Sequence, residues 1–233
     1  KNVYENQPTV AVLRAYSKNF DNFRKLDNIK VTEQSDATIK PISFKKQEIE
    51  TKDDSDYSSQ VIATFIIFPE KSGNVEIEPV SALVKNPELN KLVSNKVKIN
   101  VKTLPEGSPE NFKNTVGNFN VSIEAIDAPK NIEINKPMNV LVKIAGQGNL
   151  DANKLPEIIQ SDDYTFFKPK ITSKLSTNKD GVKGVIAATY VLIPKKQGKI
   201  SINTERFSFF DPNLKKYVDI GVKSLAINVL TAQ

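Results

Sequence analysis

The chain has 233 residues and a formal net charge of +6, and it contains no cysteine, histidine or tryptophan. These absences exclude disulfides, thiolate or imidazole zinc sites, and catalysis by a cysteine nucleophile or a serine–histidine–aspartate triad. The positive charge comes mostly from lysines that alternate with acidic residues, which indicates a solvated surface and no nucleic-acid partner, because nucleic-acid sites favour arginine with interleaved aromatics.

Strand patterns dominate the first half of the chain. The apolar run 61–68 is typical of a central strand that is buried on both faces. It ends at Pro69, which cannot donate to a β-ladder, and a polar turn with Gly73 follows, so the sequence predicts a hairpin here. A helical stretch of one or two turns is predicted over 86–93, because Pro87 is tolerated at an early helical position.

The second half gives the same kind of pattern. Residues 117–126 and 138–144 alternate apolar with polar side chains, and residues 185–193 form another apolar run. A second short helical stretch is predicted over 151–159, although Pro156 interrupts it. Most of this half is therefore expected to be β-strand.

The two halves align with each other. The segment ATFIIFPEKSGNVEI, from Ala63, matches ATYVLIPKKQGKISI, from Ala188, and it keeps both the proline and the turn glycine. Further matches follow in the same order: Asn6-Gln-Pro8 with Asn135-Lys-Pro137, Lys25-Leu26 with Lys154-Leu155, and Ile99-Asn-Val101 with Ile227-Asn-Val229. Ordered matches over a whole copy predict an all-β protein with two tandem immunoglobulin-like or fibronectin-like sandwich domains.

The predicted domains span residues 1–104 and 116–233, and a proline-containing linker joins them over 105–115. The second copy begins with the strand 117–126, which has no counterpart in the first copy. We therefore expect the first domain to be incomplete at its N-terminus and the chain to be a piece of a longer protein.

Several motifs, taken in order, resemble the BatD family of exported aerotolerance (oxygen-tolerance) proteins of the Bat operon. They are the junction LPEGSPENFKNTVGNFNVSIEAID over 104–127, the turn AGQGNL over 145–150 with Leu155-Pro156, the hairpin YVLIPKKQGKISI, and FSFFDPNLKKYVDI over 207–220. One departure is Asn114-Thr115, where the family has Gly-Ala before Val-Gly. The resemblance spans essentially the whole chain.

The resemblance implies a non-enzymatic protein of the bacterial periplasm or cell envelope. It implies a signal peptide and an inner-membrane anchor in segments that this sequence does not contain. The family shares its operon with MoxR-type ATPases and von Willebrand factor A-type membrane proteins, so the implied partners are the latter directly and the former indirectly. The implied role is assembly or scaffolding, linked to oxygen or stress tolerance and carried by protein–protein contacts, with no cofactor.

The family-motif turns are candidates for partner contact, and they comprise Gly146, Gly148, Asn149, Asp211 and Pro212. The Gly146-Gln-Gly148 pair does not indicate dinucleotide binding, because position 151 is aspartate where a third glycine is needed and no parallel-sheet pattern surrounds it. Asp and Pro are common turn formers, so Asp211-Pro212 is expected between two strands. The phenylalanines 207, 209 and 210 are expected to divide between the core and a partly exposed face.

Lysines cluster on two hairpins, at Lys195, Lys196 and Lys199 and at Lys215 and Lys216. Together they could form a basic patch that faces anionic lipid or an acidic partner. Lysines on hairpins also protect sheet edges against unwanted pairing, and this reading is preferred.

Asp53, Asp54 and Asp56 could supply part of a calcium shell. The EF-hand pattern fails because neither its glycine nor its terminal glutamate is present, so a solvated hairpin tip is expected and calcium binding stays open. Two other function classes remain alternatives: an extracellular carbohydrate- or surface-binding module, and a hydrolase with two converging carboxylates.

Overall fold

The computed structural model describes residues 2–43, 48–51, 56–86, 88–127 and 131–232. Two compact units divide the chain. Unit 1 comprises Lys1–Leu104 with the short segment Thr177–Gly181, and unit 2 comprises Pro105–Ser176 and Val182–Gln233.

Unit 1 is built almost entirely from strands. They are β1 (Asn2–Tyr4), β2 (Thr9–Ser17), β3 (Leu26–Val31), β4 (Ala37–Ile42), β5 (Glu50–Thr51), β6 (Ser58–Pro69), β7 (Gly73–Ile77), β8 (Val80–Asn86), β9 (Glu88–Val93) and β10 (Val97–Lys102). One 3₁₀ helix, Phe20–Lys25, follows β2 and starts where the Asn19 side chain accepts a hydrogen bond from the Asp21 amide.

Unit 2 has the same character. Its strands are β11 (Gly117–Ile126), β12 (Ile132–Glu133), β13 (Met138–Gly148), β14 (Tyr164–Phe166), β15 (Lys170–Asn178), β16 (Gly181–Pro194), β17 (Gly198–Asn203), β18 (Phe207–Asp211), β19 (Lys216–Gly221) and β20 (Ser224–Leu230). A 3₁₀ helix, Ala152–Lys154, follows β13, as the one in unit 1 follows β2.

The sheets of the two units have matching strand orders. Unit 1 has the order β2-β6-β4, with β5 also on β6, and the order β1-β10-β7, whereas unit 2 has β11-β13-β16-β14, with β15 also on β16, and β12-β20-β17. Each unit adds a smaller sheet, β3-β8-β9 or β18-β19. The pairs β1–β10 and β12–β20 are parallel, and the other pairs named in register are antiparallel.

The registers agree residue by residue. Val101 pairs with Val3 and Gly73 in unit 1, as Val229 pairs with Ile132 and Gly198 in unit 2. In the other sheet, Thr9 pairs with Ile67 as Met138 pairs with Leu192, and Ala37 pairs with Pro69 as Tyr164 pairs with Pro194. β2 is therefore the counterpart of β13, and β6 is the counterpart of β16.

The Asn-X-Pro turns are also alike. Asn6 and Asn135 both have φ of 63°, a left-handed conformation that asparagine tolerates better than most residues. The Asn6 amide donates to the Pro69 carbonyl at 2.6 Å, and the Asn135 amide donates to the Pro194 carbonyl at 2.9 Å. In each unit the Asn-X-Pro motif is therefore hydrogen-bonded to the last residue of the long central strand.

The predicted fold class is confirmed. Each unit is an open β-sandwich of the immunoglobulin-like kind, and the long central strands β6 and β16 occupy the two apolar runs. In unit 1 the two sheets face each other across a buried cluster of Val3, Ala37, Ile67, Val75, Ile77, Ile99 and Val101. Unit 1 has no strand that corresponds to β11 among its described residues.

One helix prediction is wrong. Residues 80–86 and 88–93 form the hairpin β8–β9, in which Ala82 pairs with Leu92 and is buried. Residues 88–93 pair with β8, which in turn pairs with β3. This pairing satisfies backbone groups on both sides of β8, whereas a helix over 86–93 would leave β8 without a partner on one side. Over 151–159 only the 3₁₀ turn Ala152–Lys154 forms.

Within the described residues no helix reaches the length and apolarity that a membrane crossing requires.

Two buried tyrosines in unit 2 should make its stability fall at alkaline pH. Loss of solvent raises the pKa of Tyr164 and of Tyr190 above their ordinary value of 10.0. A pKa that is higher in the folded state means that the folded protein keeps these phenol protons up to a higher pH. The resulting contribution to the free energy of unfolding is complete below pH 10, and it is lost as pH rises through the folded pKa.

We expect the phenolate absorbance of Tyr164 and Tyr190 to rise only together with alkaline unfolding. The Tyr190→Phe variant should lower the part of the absorbance that rises with unfolding. An unfolding transition without any accompanying rise in phenolate absorbance would contradict the burial of these two rings.

Candidate functional site

The family-motif turns meet at one end of unit 2, beside the segment 105–116. β13 ends at Gly148 opposite Gly117, where β11 begins, and Val116 forms a parallel bridge with Phe210 at the end of β18. We use the name linker clamp for Asn149, Phe210 and Tyr217 together with the segment 105–116 that they hold.

Asn149 fastens the end of this segment. Its Oδ1 accepts a hydrogen bond from the Val116 amide at 2.8 Å, and its Nδ2 donates to the Asn114 carbonyl at 2.8 Å. The Asn149 amide in turn donates to the Val116 carbonyl at 3.1 Å. Both polar ends of the side chain are therefore used in holding the backbone that leads into β11.

Two aromatic side chains hold the segment further upstream. The Tyr217 hydroxyl donates to the Pro105 carbonyl at 2.5 Å. Its ring packs edge-on against Phe112 and Phe210, with centroid distances of 5.1 Å to each. The Phe210 amide donates to the Thr115 carbonyl at 2.8 Å. Residues 105–115 are thus fixed on unit 2 by contacts at both of their ends.

Charged groups add to the clamp at its surface. Lys113 Nζ lies 3.0 Å from Glu205 Oε2, and the Lys113 carbonyl accepts a hydrogen bond from Lys154 Nζ at 2.8 Å. These side chains are partly exposed, and exposed ion pairs typically contribute only about 0–1 kcal/mol. The aromatic and amide contacts therefore account for most of the attachment.

Glycine is required at Gly146 and Gly148 because the neighbouring strand lies too close for a side chain. A Cβ on Gly148, where φ is 146°, would lie 2.1 Å from the Val116 carbonyl oxygen. A Cβ on Gly146, where φ is 153°, would lie 2.2 Å from the Asn118 oxygen and 2.8 Å from the Phe119 ring. The Gly-x-Gly motif therefore permits the close pairing of β11 with β13.

Asp211 shapes the turn between β18 and β19. It is 5% exposed, and its Oδ1 accepts hydrogen bonds from the Asn213 and Leu214 amides at 2.9 Å and 3.2 Å. Pro212 follows at the turn position where its fixed φ is suited, and Lys215 adopts a φ of 54° before β19 begins. The expected strand–turn–strand arrangement around Asp211-Pro212 is present.

The expectation for the three phenylalanines is wrong in one respect, because Phe207, Phe209 and Phe210 are all buried. Phe207 and Phe209 pack against Phe119 in the sandwich core, while Phe210 is covered by the linker segment through its bridge to Val116. The covering of Phe210 by the linker segment could not be predicted from the alternation of side chains within β18.

The family-motif residues make contacts within unit 2. Asn149 and Asp211 direct their polar atoms at backbone groups, and Gly146 and Gly148 pair with β11. A contact between these turns and a partner protein remains a prediction.

The lysines do not form one patch. Lys195, Lys196 and Lys199 surround the turn after Pro194, which pairs near the Met138 end of the sheet. Lys215 and Lys216 lie on the β18–β19 hairpin, near the Gly148 end. The ends of β13 are about 33 Å apart at the rise of an extended strand, so the two groups occupy opposite ends of unit 2.

Local partners already engage part of the first group. Lys195 Nζ donates to Asn135 Oδ1 at 3.2 Å, and Lys196 Nζ lies 3.9 Å from Asp163. Asp53 and Asp54 lie outside the described residues, so the structure says nothing about a calcium shell there. Over the described parts of the chain, no group of three or more acidic side chains is arranged to hold a metal ion.

A surface ion pair joins Arg206 and Asp219. The guanidinium donates to both carboxylate oxygens, with an Nε–Oδ2 distance of 2.9 Å, and this lowers the pKa of Asp219. The pair lies just before and within the β18–β19 hairpin and braces it.

The docking of residues 105–115 on unit 2 was missed by sequence reasoning, which treated them as a linker. The usable signal was the aromatic side chain of Phe112 within the segment, together with that of Tyr217, because flexible linkers consist mostly of glycine and serine. Their pairing across more than one hundred residues could not be found without the fold.

Removing one hydrogen bond should loosen the clamp without disturbing its packing. In Tyr217→Phe the ring contacts remain while the bond to the Pro105 carbonyl is lost, so we expect a loss of about 1 kcal/mol in the stability of unit 2. Limited proteolysis within 105–113 should become faster. Tyr16→Phe, at an exposed ring, is the matched control, and equal behaviour of the two variants would contradict the clamp.

Residues 125–229 match the family model described as "BatD DUF11 like domain". No curated protein matches the chain. A solved structure titled "BspA_C_mut" is 11% identical, with 97% of this chain and 82% of that chain covered, but its TM-score of 0.25 is too low for any conclusion.

The family model covers β12 to β20 and the end of β11, which is nearly the whole sandwich of unit 2. The hairpin after Pro194, the Gly146–Asn149 turn and the Asp211-Pro212 turn all lie within the match. The resemblance found in the sequence is therefore confirmed for the second sandwich, whose residues 125–229 match the BatD domain model.

Proposed function

We propose that the chain is a non-enzymatic scaffold of the bacterial cell envelope that works through protein–protein contacts. The BatD domain over residues 125–229 is the observation that carries this proposal. The resemblance adds a periplasmic location, inner-membrane anchoring by a segment outside these residues, and a link to oxygen or stress tolerance.

The chemistry of unit 2 supports a scaffold. The family-motif side chains are used to build and brace the sandwich, as Asn149 and Asp211 show through their backbone hydrogen bonds. The histidine and cysteine that many hydrolases rely on do not occur in the sequence. What such a domain offers a partner is a rigid surface.

Exposed apolar side chains provide candidate contact points on unit 2. Phe167, Leu214 and Val222 are each more than half exposed. Isolated apolar side chains are normal on protein surfaces, so each must be tested individually. The expected direct partners are von Willebrand factor A-type membrane proteins, and a MoxR-type ATPase would be reached through them.

Site-specific photocrosslinking in native membranes tests the proposal. A photoreactive residue replaces Phe167, Leu214 or Val222 in turn, and the same residue at exposed Ser201 serves as the matched control. We expect at least one apolar position to capture a von Willebrand factor A-type protein that the control position does not capture. Fractionation should place the protein in the envelope.

Specific glycan binding without any captured protein would overturn the proposal and favour the carbohydrate-binding alternative. Turnover of a substrate that depends on a pair of carboxylates would overturn its non-enzymatic part. A cytoplasmic location would overturn the envelope role.

A further inference from the structure

Unit 1 has a cavity between two of its sheets. Its volume is about 840 Å³, and it is lined by β2 and β6 on one side and by β3, β8 and β9 on the other. This volume lies within the range of about 300–1,000 Å³ that is typical of small-molecule sites. The interiors of protein domains are normally filled to the density of organic crystals, so a space of this size is unusual.

Aromatic rings occupy the matching strand of unit 2. β18 follows β17 as β8 follows β7, and it begins Phe207-Ser208-Phe209 where β8 begins Val80-Ser81-Ala82. Both phenylalanines are buried and pack against Phe119. Val80 and Ala82 instead line the cavity. The small side chains at the start of β8 therefore leave space between the sheets, whereas the start of β18 places phenyl rings in its core.

Most residues in the wall of the cavity are aliphatic, and they include Leu13, Leu26 and Val61. Leu92 and Val93, which line it from β9, are each more than half exposed. Removal of such apolar surface from water is favourable, so a ligand with an apolar body would gain affinity by covering this wall.

A bulge in β2 adds one cation to this wall. The pairing of β2 with β6 shifts register between Leu13 and Arg14. Leu13 lies opposite Ala63, and Arg14 lies opposite Val61. Positions 61 and 63 are on the same face of β6, so the bulge brings Leu13 and Arg14 to the same face of the sheet. Both of these residues line the cavity.

The Arg14 guanidinium keeps donors for a ligand. Its Nη1 donates to Ser59 Oγ at 3.2 Å and to Glu50 Oε2 at 3.3 Å. Among the described residues, neither its Nε nor its Nη2 has a partner. The ion pair with Glu50 is partly exposed and therefore weak, so it leaves the guanidinium able to bind a carboxylate through two parallel hydrogen bonds.

We propose that unit 1 binds a long-chain fatty acid in this cavity, with the acyl chain between the two sheets and the carboxylate on Arg14. A single cation in an aliphatic cavity is complementary to an apolar chain with one anionic end. A peptide would have to bury backbone N–H and C=O groups against an aliphatic wall, which is unfavourable, whereas an acyl chain has no such groups. This inference does not depend on the proposed scaffold function.

Titration of the isotopically labelled chain with sodium dodecanoate, below its critical micelle concentration, tests the proposal. We expect saturable amide shifts in β2, β6, β8 and β9 and none in unit 2. Because each buried CH₂ group removes apolar surface from water, the affinity should rise about 4-fold per CH₂ from octanoate through decanoate to dodecanoate. Dodecyltrimethylammonium, which has the same chain length and the opposite charge, should bind at least about 10-fold more weakly than dodecanoate.

Two variants separate the contribution of the carboxylate from that of the chain. Arg14→Gln should weaken dodecanoate binding by about 10-fold and leave dodecanol binding unchanged, because only the acid uses the guanidinium. Arg206→Gln removes an arginine from a surface ion pair of unit 2, and as the matched control it should bind dodecanoate normally. Ala82→Phe places a ring in the cavity, as Phe209 does in the core of unit 2, so it should abolish binding of both ligands.

Absence of saturable shifts with dodecanoate would overturn the proposal, as would equal affinities of the unaltered chain and Arg14→Gln. Shifts of similar size in unit 2 would indicate detergent-like association and would also overturn it. Shifts of the cavity wall that depend on protein concentration without any ligand would assign the cavity to a second copy of the chain, with the same consequence. If Ala82→Phe does not fold, the chain-length series and Arg14→Gln decide the outcome.

Discussion

Gly148→Ala is expected to lower the free energy of unfolding of unit 2 by about 3 kcal/mol or more. The added Cβ would lie 2.1 Å from the Val116 carbonyl oxygen and 3.0 Å from the Phe119 ring, and the backbone φ of 146° already disfavours any residue with a side chain. The strand pair β11–β13 must separate at this end to relieve the clash. Denaturant unfolding, followed through amide resonances of unit 2, measures the loss.

Gly198→Ala is the matched control for this prediction. Gly198 has a φ of 89°, but a Cβ there would meet no atom within 4 Å. The substitution should therefore cost only the backbone strain, about 1–2 kcal/mol. Equal losses at the two positions would mean that close strand approach does not explain the Gly-x-Gly motif.

Phe119→Ala is expected to destabilise unit 2 by about 3–5 kcal/mol, the range found when a buried aromatic ring is removed. The ring is 4% exposed and contacts Phe209 edge-on at a centroid distance of 5.7 Å. Its removal leaves a cavity between β11 and β18. The loss should appear in the unfolding transition of unit 2 and leave that of unit 1 unchanged.

Phe167→Ala provides the comparison, because Phe167 is 60% exposed and should cost less than about 0.5 kcal/mol. A small effect at both positions would show that β11 adds little to the interior of its sandwich.

Much of the fold could be predicted because strand signals and turn signals agreed. The apolar runs that end at Pro69 and Pro194 became β6 and β16, and the turn glycines Gly73 and Gly198 start the returning strands with positive φ. Proline and glycine restrict the backbone directly, so their positions determine the turn without any knowledge of tertiary contacts. The predicted leading strand 117–126 coincides with β11.

The errors arose where tertiary contacts decided the outcome. Residues 86–93 have no strong local preference, and pairing of β8 with β3 and β9 made them a hairpin. Phe210 became buried because a segment almost one hundred residues earlier covers it. Neither relationship leaves a periodic trace in the local sequence.

For the candidate site residues as well, the sequence identified the turns but did not predict what they do in the structure. The sequence pointed to Gly146, Gly148, Asn149, Asp211 and Pro212 because they resemble family motifs, and it offered partner contact as their role. The structure gives each turn an internal role in bracing unit 2. The lysine groups could not be separated by sequence alone, since distance along the chain says little about which end of a sandwich a hairpin occupies.

Native-state hydrogen exchange of the 233-residue chain tests most directly the central claim that, among the described residues, β2 has an open edge where its counterpart β13 is covered by β11. The account predicts slow exchange throughout β13 and, in β2, slow exchange only for amides that bond to β6, with the alternate amides exchanging at least about 100-fold faster. Equally strong protection of all amides in β2 and β13, in a monomeric chain, would contradict it.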